Sequence, residues 1–161
     1  MGDRAHYLRK SFPWITEDGY LDVTKFPIDQ VLEKTLGDDL KDLHTGCVMC
    51  ASMVAAGREE AGIYLVGLLR YYASDLRRLE VIAEQLSHFH HESAAEALLG
   101  EFRRIKSSNT TRIYLNRVLT SLSLMPSHLV VDGLEELAND KSFTPRMRAK
   151  FRKVLEERRR R

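Results

Sequence analysis

The chain is poor in the residues around which compact chemical sites are usually built. Only two cysteines occur in 161 residues, and both stand in the heptapeptide HTGCVMC at positions 44–50. There is no second CxxC and no HxxxH, so a structural zinc site lacks the four ligands it ordinarily needs. The glycines are isolated: Gly37, Gly46, Gly57, Gly62 and Gly67 belong to no GxGxxG and precede no Walker lysine, which removes the usual nucleotide fingerprints. A GxSxG elbow and an HExxH are also missing. No apolar run approaches the roughly 20 residues that span a bilayer. The opening MGDRAHYLRK has no apolar stretch of the secretory type, and His6 stands where a myristoylation signal has Ser or Thr. These absences point to a cytoplasmic protein that is not an enzyme, with no cofactor, no bound metal and no membrane partner.

What is present suits a folded domain. Hydrophobic residues make up 43% and charged residues 30%, too apolar a balance for a disordered chain. The length favours one domain with its own core. The net charge of +2 hides an asymmetry, because Pro145–Arg161 carries nine Arg or Lys against Glu156 and Glu157. That end is +7, which leaves the other 144 residues at −5. The expectation is a mildly acidic body with a strongly basic end.

Two regions differ in texture. Residues 1–27 hold the single tryptophan, Trp14, and two of the four prolines, with little helical periodicity. Asp18-Gly19, between short apolar stretches, is a hairpin turn signal. An irregular N-terminal arm is expected there, either a short hairpin or an extended segment packed on the body. From residue 28 to 161 the pattern is helix after helix, at about 28–36, 39–56, 59–74, 76–89, 93–106, 110–124, 128–139 and 144–158. Asp38, Asp75, Ser93, Asn109 or Thr110, and Thr144-Pro145 supply start signals, and Gly37 and Gly57 stand where two helices should stop. The short connections imply antiparallel neighbours.

The apolar positions of these helices recur. Leu79, Ile82, Ala83 and Leu86 map at an offset of 36 onto Leu115, Val118, Leu119 and Leu122, then onto Phe151, Val154, Leu155 and Arg158. Backwards they map onto Leu43, Gly46, Cys47 and Cys50. Leu65, Val66, Leu69 and Tyr72 correspond to Leu98, Leu99, Phe102 and Ile105 at an offset of 33, and Val131, Leu134 and Leu137 continue the series. A helix–turn–helix period near 35 without strict consensus resembles the HEAT-like α-solenoid class over residues 28–158. The tetratricopeptide pattern fits less well, since its Trp, Gly and Tyr positions are not filled in register. The resemblance implies an all-α fold of about four stacked antiparallel helical hairpins in a right-handed superhelix. A compact helical bundle is the alternative.

Against this frame the motifs can be weighed. Leu40, Leu43, Cys47, Cys50 and Val54 form a 3-4-3-4 seam, so the cysteines are expected in the core, reduced and without metal. Asp38, Asp39 and Asp42 upstream oppose a reactive thiolate. His88, His90 and His91 suit the polar end of a helix, where a histidine can interact with the helix dipole. Tyr71 and Tyr72 follow an apolar run on a helix expected to be buried nearly all round; Tyr64 and Tyr114 fall off the strongest apolar positions, which leaves exposure open to them, and core packing is the role expected of most of these tyrosines. The basic end places Met147, Phe151, Val154 and Leu155 on one helical face, with cations on the others. The expected function is binding without catalysis, as an adaptor holding a protein partner on the repeat surface. The alternative is a nucleic-acid module in which Arg78, Arg112, Arg117, Arg148, Arg152 and Lys153, with the C-terminal arginines, track a phosphate backbone. A third alternative is a metal- or thiol-dependent protein using His44, Cys47 and Cys50.

Overall fold

The structure, a computed structural model, describes residues 12–160. The opening MGDRAHYLRK, on which the absence of a targeting signal was argued, and Arg161 lie outside the described residues. Eight helices follow in order: α1 (Ile28–Leu36), α2 (Leu40–Ala55), α3 (Glu59–Tyr71), α4 (Leu76–Leu86), α5 (Glu92–Arg104), α6 (Arg112–Leu124), α7 (Ser127–Asn139) and α8 (Pro145–Arg159). Among the described residues the only β pairing is one isolated bridge, Ile15 to Leu21, so the all-α expectation holds.

Local chemistry explains most boundaries. Asp75 accepts from Arg78 N–H and Thr144 Oγ1 from Met147 N–H, both at 3.2 Å, and Pro145 opens α8 as expected. Asp39, one residue past the expected Asp38, caps α2 by accepting from Lys41 N–H at 2.7 Å. At α5 the cap is His91, not Ser93: its Nδ1 accepts from Ser93 N–H at 3.1 Å. Helix α6 begins after Thr111, not Asn109 or Thr110. Gly57 follows α2 at φ +89°, the left-handed conformation that ends a helix at little cost to glycine. Helices α3 and α4 stop at Tyr71 and Leu86, short of the expected 74 and 89. At α4 the chain tightens into successive turns over 84–89, which swing Phe89 into the core.

The helices pack in two ranks. In one, α3 lies against α5 and α5 against α7; in the other, α2, α4, α6 and α8 are neighbours in that order. Across the ranks α3 packs on α4, α5 on α6 and α7 on α8, while α1 packs on α2. The repeating positions found in the sequence form the interior of the second rank: Leu43, Cys47, Cys50, Leu79, Ile82, Ala83, Leu86, Leu115, Val118, Leu119, Leu122, Phe151, Val154 and Leu155 are all buried. Gly46 and Arg158, in register with them, are buried too.

Close approach leaves little room for a β-carbon at three helix contacts. One at Gly62 would run into the Phe89 ring, one at Gly133 into the Leu99 side chain, and one at Gly46 would come to 2.5 Å from the Thr35 methyl. The described part of the N-terminal arm, residues 12–27, includes a small hairpin turning at Gly19 (φ +83°), with Thr16 N–H bonded to the Tyr20 carbonyl at 2.8 Å. Trp14 meets Phe26 edge-on at 6.1 Å, and Phe26 is buried in the core. Arg58, at the start of α3, fastens the arm by donating to the carbonyls of Val23 (3.2 Å) and Phe26.

Among the aromatics one expectation is overturned, the burial of Tyr71. Tyr114 is fully buried: its hydroxyl donates to Glu101 Oε2 at 2.7 Å, so a polar seat draws in a ring that the apolar register leaves out. Tyr71 is 68% exposed, because α3 turns one face, with Ile63 and Tyr71, to solvent.

Gly62→Ala should lower stability by about 1–3 kcal/mol, the cost of overpacking a filled contact. Gly67→Ala on the same helix has open space around the added methyl and should raise stability by up to about 1 kcal/mol through helix propensity. Urea titrations of the two variants should move in opposite directions; a shift in the same direction would contradict the packing described.

Candidate functional site

Of the six basic residues expected to form a strip, several are committed inside the fold. Arg78 donates to the carbonyls of Gly37 (2.9 Å) and Asp38 (2.8 Å), pairs with Asp75 at 2.9 Å, and lies 4.9 Å over the Tyr72 ring. Its guanidinium therefore closes the α1–α2 turn. Arg152 donates to the Ala138 carbonyl near the end of α7 at 3.3 Å. Arg117 stands 3.7 Å from Glu84, which offsets its charge. Arg148 is half-buried, its Nε without a hydrogen-bond partner. Arg158, expected with the solvated tail, is buried and donates to the Met125 carbonyl at 3.1 Å. Arg112, Arg152 and Lys153 are exposed and form no ion pair among the described residues, and of these Arg152 alone has a hydrogen-bond partner there.

Arg112 opens a different assembly. The connection from α5 to α6 is folded on itself: Thr111 Oγ1 donates to the Lys106 carbonyl at 2.7 Å and accepts from Ser108 N–H at 2.9 Å. This fixes the loop beside the start of α8. Between them lies a niche of about 180 Å³ lined by Ser107, Ser108, Asn109, Arg112, Thr144, Arg146, Met147 and Lys150. Its lining carries three cations and no carboxylate. Lys150 Nζ donates to the neutral Asn116 Oδ1 at 2.8 Å, so its charge is not offset. Helices α6 and α8 both begin here, and their N-terminal dipole ends add to the positive potential.

Ser107, Thr144 and Met147 are shared with a larger depression of about 500 Å³, floored by Phe102, Ile105, Leu115, Phe143 and Met147. Its rim holds Arg103, Arg104 and Lys106. Arg103 pairs with Asp140 at 2.9 Å; the hydrogen bonds from Ser142 first, and then this pairing, hold that carboxyl below its usual range. Arg104 is forked onto Glu101, with contacts of 2.8 and 2.5 Å, and its remaining nitrogen reaches the Ala73 carbonyl. Lys106 is unpaired. The whole is a cleft with an apolar half and a cationic half.

The separation of 36 that aligns core positions leads from Arg112 to Arg148 and so misses Arg146 and Lys150. Side chains facing each other across α6 and α8 are offset by 34 instead, as Lys150 is from Asn116. That second offset was the signal available for this site.

A second depression of about 650 Å³ between α5 and α7 has the opposite character, with Glu92, Glu96, Asp132 and Glu136 in its lining. Among the described residues no helix is long and apolar enough to cross a membrane, and no group of three or more His, Cys, Asp or Glu is placed to hold a metal ion. His44 is exposed while Cys47 and Cys50 are fully buried, so the three do not converge. His88 and His90 are exposed; His91 stacks on Phe89 and approaches Glu59 at 3.0 Å, a structural placement. Compared with known protein families, with curated proteins and with solved structures, the chain matches none.

Burial pushes both cysteine thiols up to about 12, and Cys47 is raised further by its neighbour Cys50. At pH 8 the native protein should leave Ellman's reagent unreacted, and two thiols per chain should titrate in guanidinium chloride. Fast labelling of the folded chain would count against this burial.

Proposed function

We propose that this protein is a non-catalytic interaction module that takes an acidic segment of a protein partner into the cleft between the α5–α6 loop and the start of α8. The observation that carries this reading is the joining of an apolar depression to a niche lined by Arg112, Arg146 and Lys150 without a carboxylate. A peptide segment offers both things such a cleft can use, apolar side chains for the floor and carboxylates for the niche. The two ranks of helices, with neighbours one period apart, support a HEAT-like α-solenoid as the scaffold. Such a scaffold suits an adaptor, and a cytoplasmic setting is part of the same reading.

The nucleic-acid alternative is less well supported. A protein tracking a phosphate backbone neutralises several phosphates in succession, but Arg78, Arg117 and Arg152 are engaged within the fold. Arg112, Arg146 and Lys150, which form no ion pair among the described residues, line one niche.

The test is a pull-down from the source cell at moderate salt, with and without nuclease, using the natural chain and Arg112→Glu/Arg146→Glu. Both residues are exposed, so the fold should persist, which circular dichroism would check. Retention of the partner should survive nuclease, and the double variant should weaken it at least about tenfold, roughly 1.4 kcal/mol. Retention that nuclease abolishes, or that ignores the charge reversal, would refute the proposal.

A further inference from the structure

We infer that the small cationic niche recognises a phosphate monoester, so that the segment bound in this cleft is a phosphorylated one with an apolar residue beside the phosphorylated side chain. This rests on the reading of the cleft as a protein-docking site and adds the chemical group that fills its polar half.

The size and lining of the niche select the anion. At about 180 Å³ it has room for one compact tetrahedral group. Arg112, Arg146 and Lys150 present three cationic side chains, and Ser107, Ser108 and Thr144 add hydroxyls around the same space. A carboxylate has two acceptor oxygens and one negative charge. A phosphate monoester has three strong acceptor oxygens and a charge of about −1.5 to −2 at neutral pH. Three cations around one small space therefore match phosphate better than carboxylate, and arginine in particular suits bidentate contact with phosphate oxygens. Lys106, Arg112, Arg146 and Lys150 form no ion pair among the described residues, in contrast to Arg103 and Arg104 on the neighbouring rim. The niche and its edge thus hold four cations whose charge no described carboxylate offsets.

The adjoining depression selects the rest of the ligand. It shares Ser107, Thr144 and Met147 with the niche, so a group leaving the niche passes directly over the floor of Phe102, Leu115, Phe143 and Met147. Inorganic phosphate would leave that floor uncovered. A phosphorylated side chain flanked by leucine or phenylalanine would cover it.

The experiment uses the full chain and four probes: inorganic phosphate, a short peptide with one phosphoserine between leucine and phenylalanine, the same peptide with glutamate in that place, and a twelve-nucleotide single-stranded RNA. Affinity is read by fluorescence anisotropy for the labelled probes, and the site by amide chemical shifts for all four. The phosphopeptide should bind at least about tenfold more tightly than the glutamate peptide. Its shifts should gather at 107–113 and 144–147. Arg146→Ser and Lys150→Gln should each reduce the phosphopeptide preference, while Lys153→Gln, exposed on the same helix and outside the niche lining, should leave it unchanged. Equal binding of the two peptides would overturn the phosphate inference and leave the docking site standing. RNA binding tighter than the phosphopeptide, with a salt dependence of several phosphates, would overturn both. Shifts outside the cleft, or no binding by any probe, would also overturn the inference.

Discussion

The polar contacts that cross from one helix pair to the next are the constraint on which this structure depends. Helix ends and tight turns leave carbonyls without partners, and here side chains from about one period along the chain supply them. Arg58 serves Val23 and Phe26, Arg78 serves Gly37 and Asp38, Arg104 serves Ala73, Tyr72 serves Thr35, and Ser121 serves Ala83. Each contact fixes the distance between neighbouring turns, and the apolar stripes between those turns then meet in register. Arg158 completes the series: it occupies a core position and turns its charge to the Met125 carbonyl, while Ser127 Oγ donates to its own carbonyl at 2.7 Å.

The same contacts explain which cations remain for binding. A guanidinium held by two carbonyls, as in Arg78, has few donors left for a ligand. One forked onto a buried carboxylate, as in Arg104, has its charge offset. Glu101 is 5% exposed and receives both Arg104 and the Tyr114 hydroxyl, so this ionic group is fully occupied inside the fold. Burial first, and then the carboxylate, raise the Tyr114 phenol above its ordinary range, so the hydroxyl stays a donor. The folded chain thus sorts its arginines into fasteners and free charges, and two of the free ones, Arg112 and Arg146, lie beside the apolar depression at the end of α5.

Much of the architecture was legible in the sequence because helix periodicity is a local property. The offset of 36 placed Leu43, Leu79, Leu115 and Phe151 in one interior, and it explained Cys47 and Cys50 as small core residues. The polar arrangements were less legible. Tyr114 lies off the apolar register, and its burial follows from a carboxylate thirteen residues earlier. Arg78 and Arg112 look alike in composition, yet one closes a turn and the other faces a niche. Where a long cation points depends on which carbonyls lie within reach, and that is set only when the helices have packed. The acidic depression between α5 and α7 went unnoticed because its carboxylates come from separate helices whose side-by-side placement the periodicity alone does not fix.

One further consequence concerns the order in which the chain acquires its shape. The hydrogen bonds joining one pair to the next connect residues about one period apart, from 29 positions between Thr35 and Tyr64 to 41 between Gly37 and Arg78. A chain leaving the ribosome as far as Leu86 already holds the helices that pack around α2, namely α1, α3 and α4. Growth from the N-terminus can therefore proceed by annealing each new pair onto a finished surface, with no need to wait for a distant strand or a closing end. The cleft, built from α5, α6 and α8, is then completed only after the helices around α2 have packed.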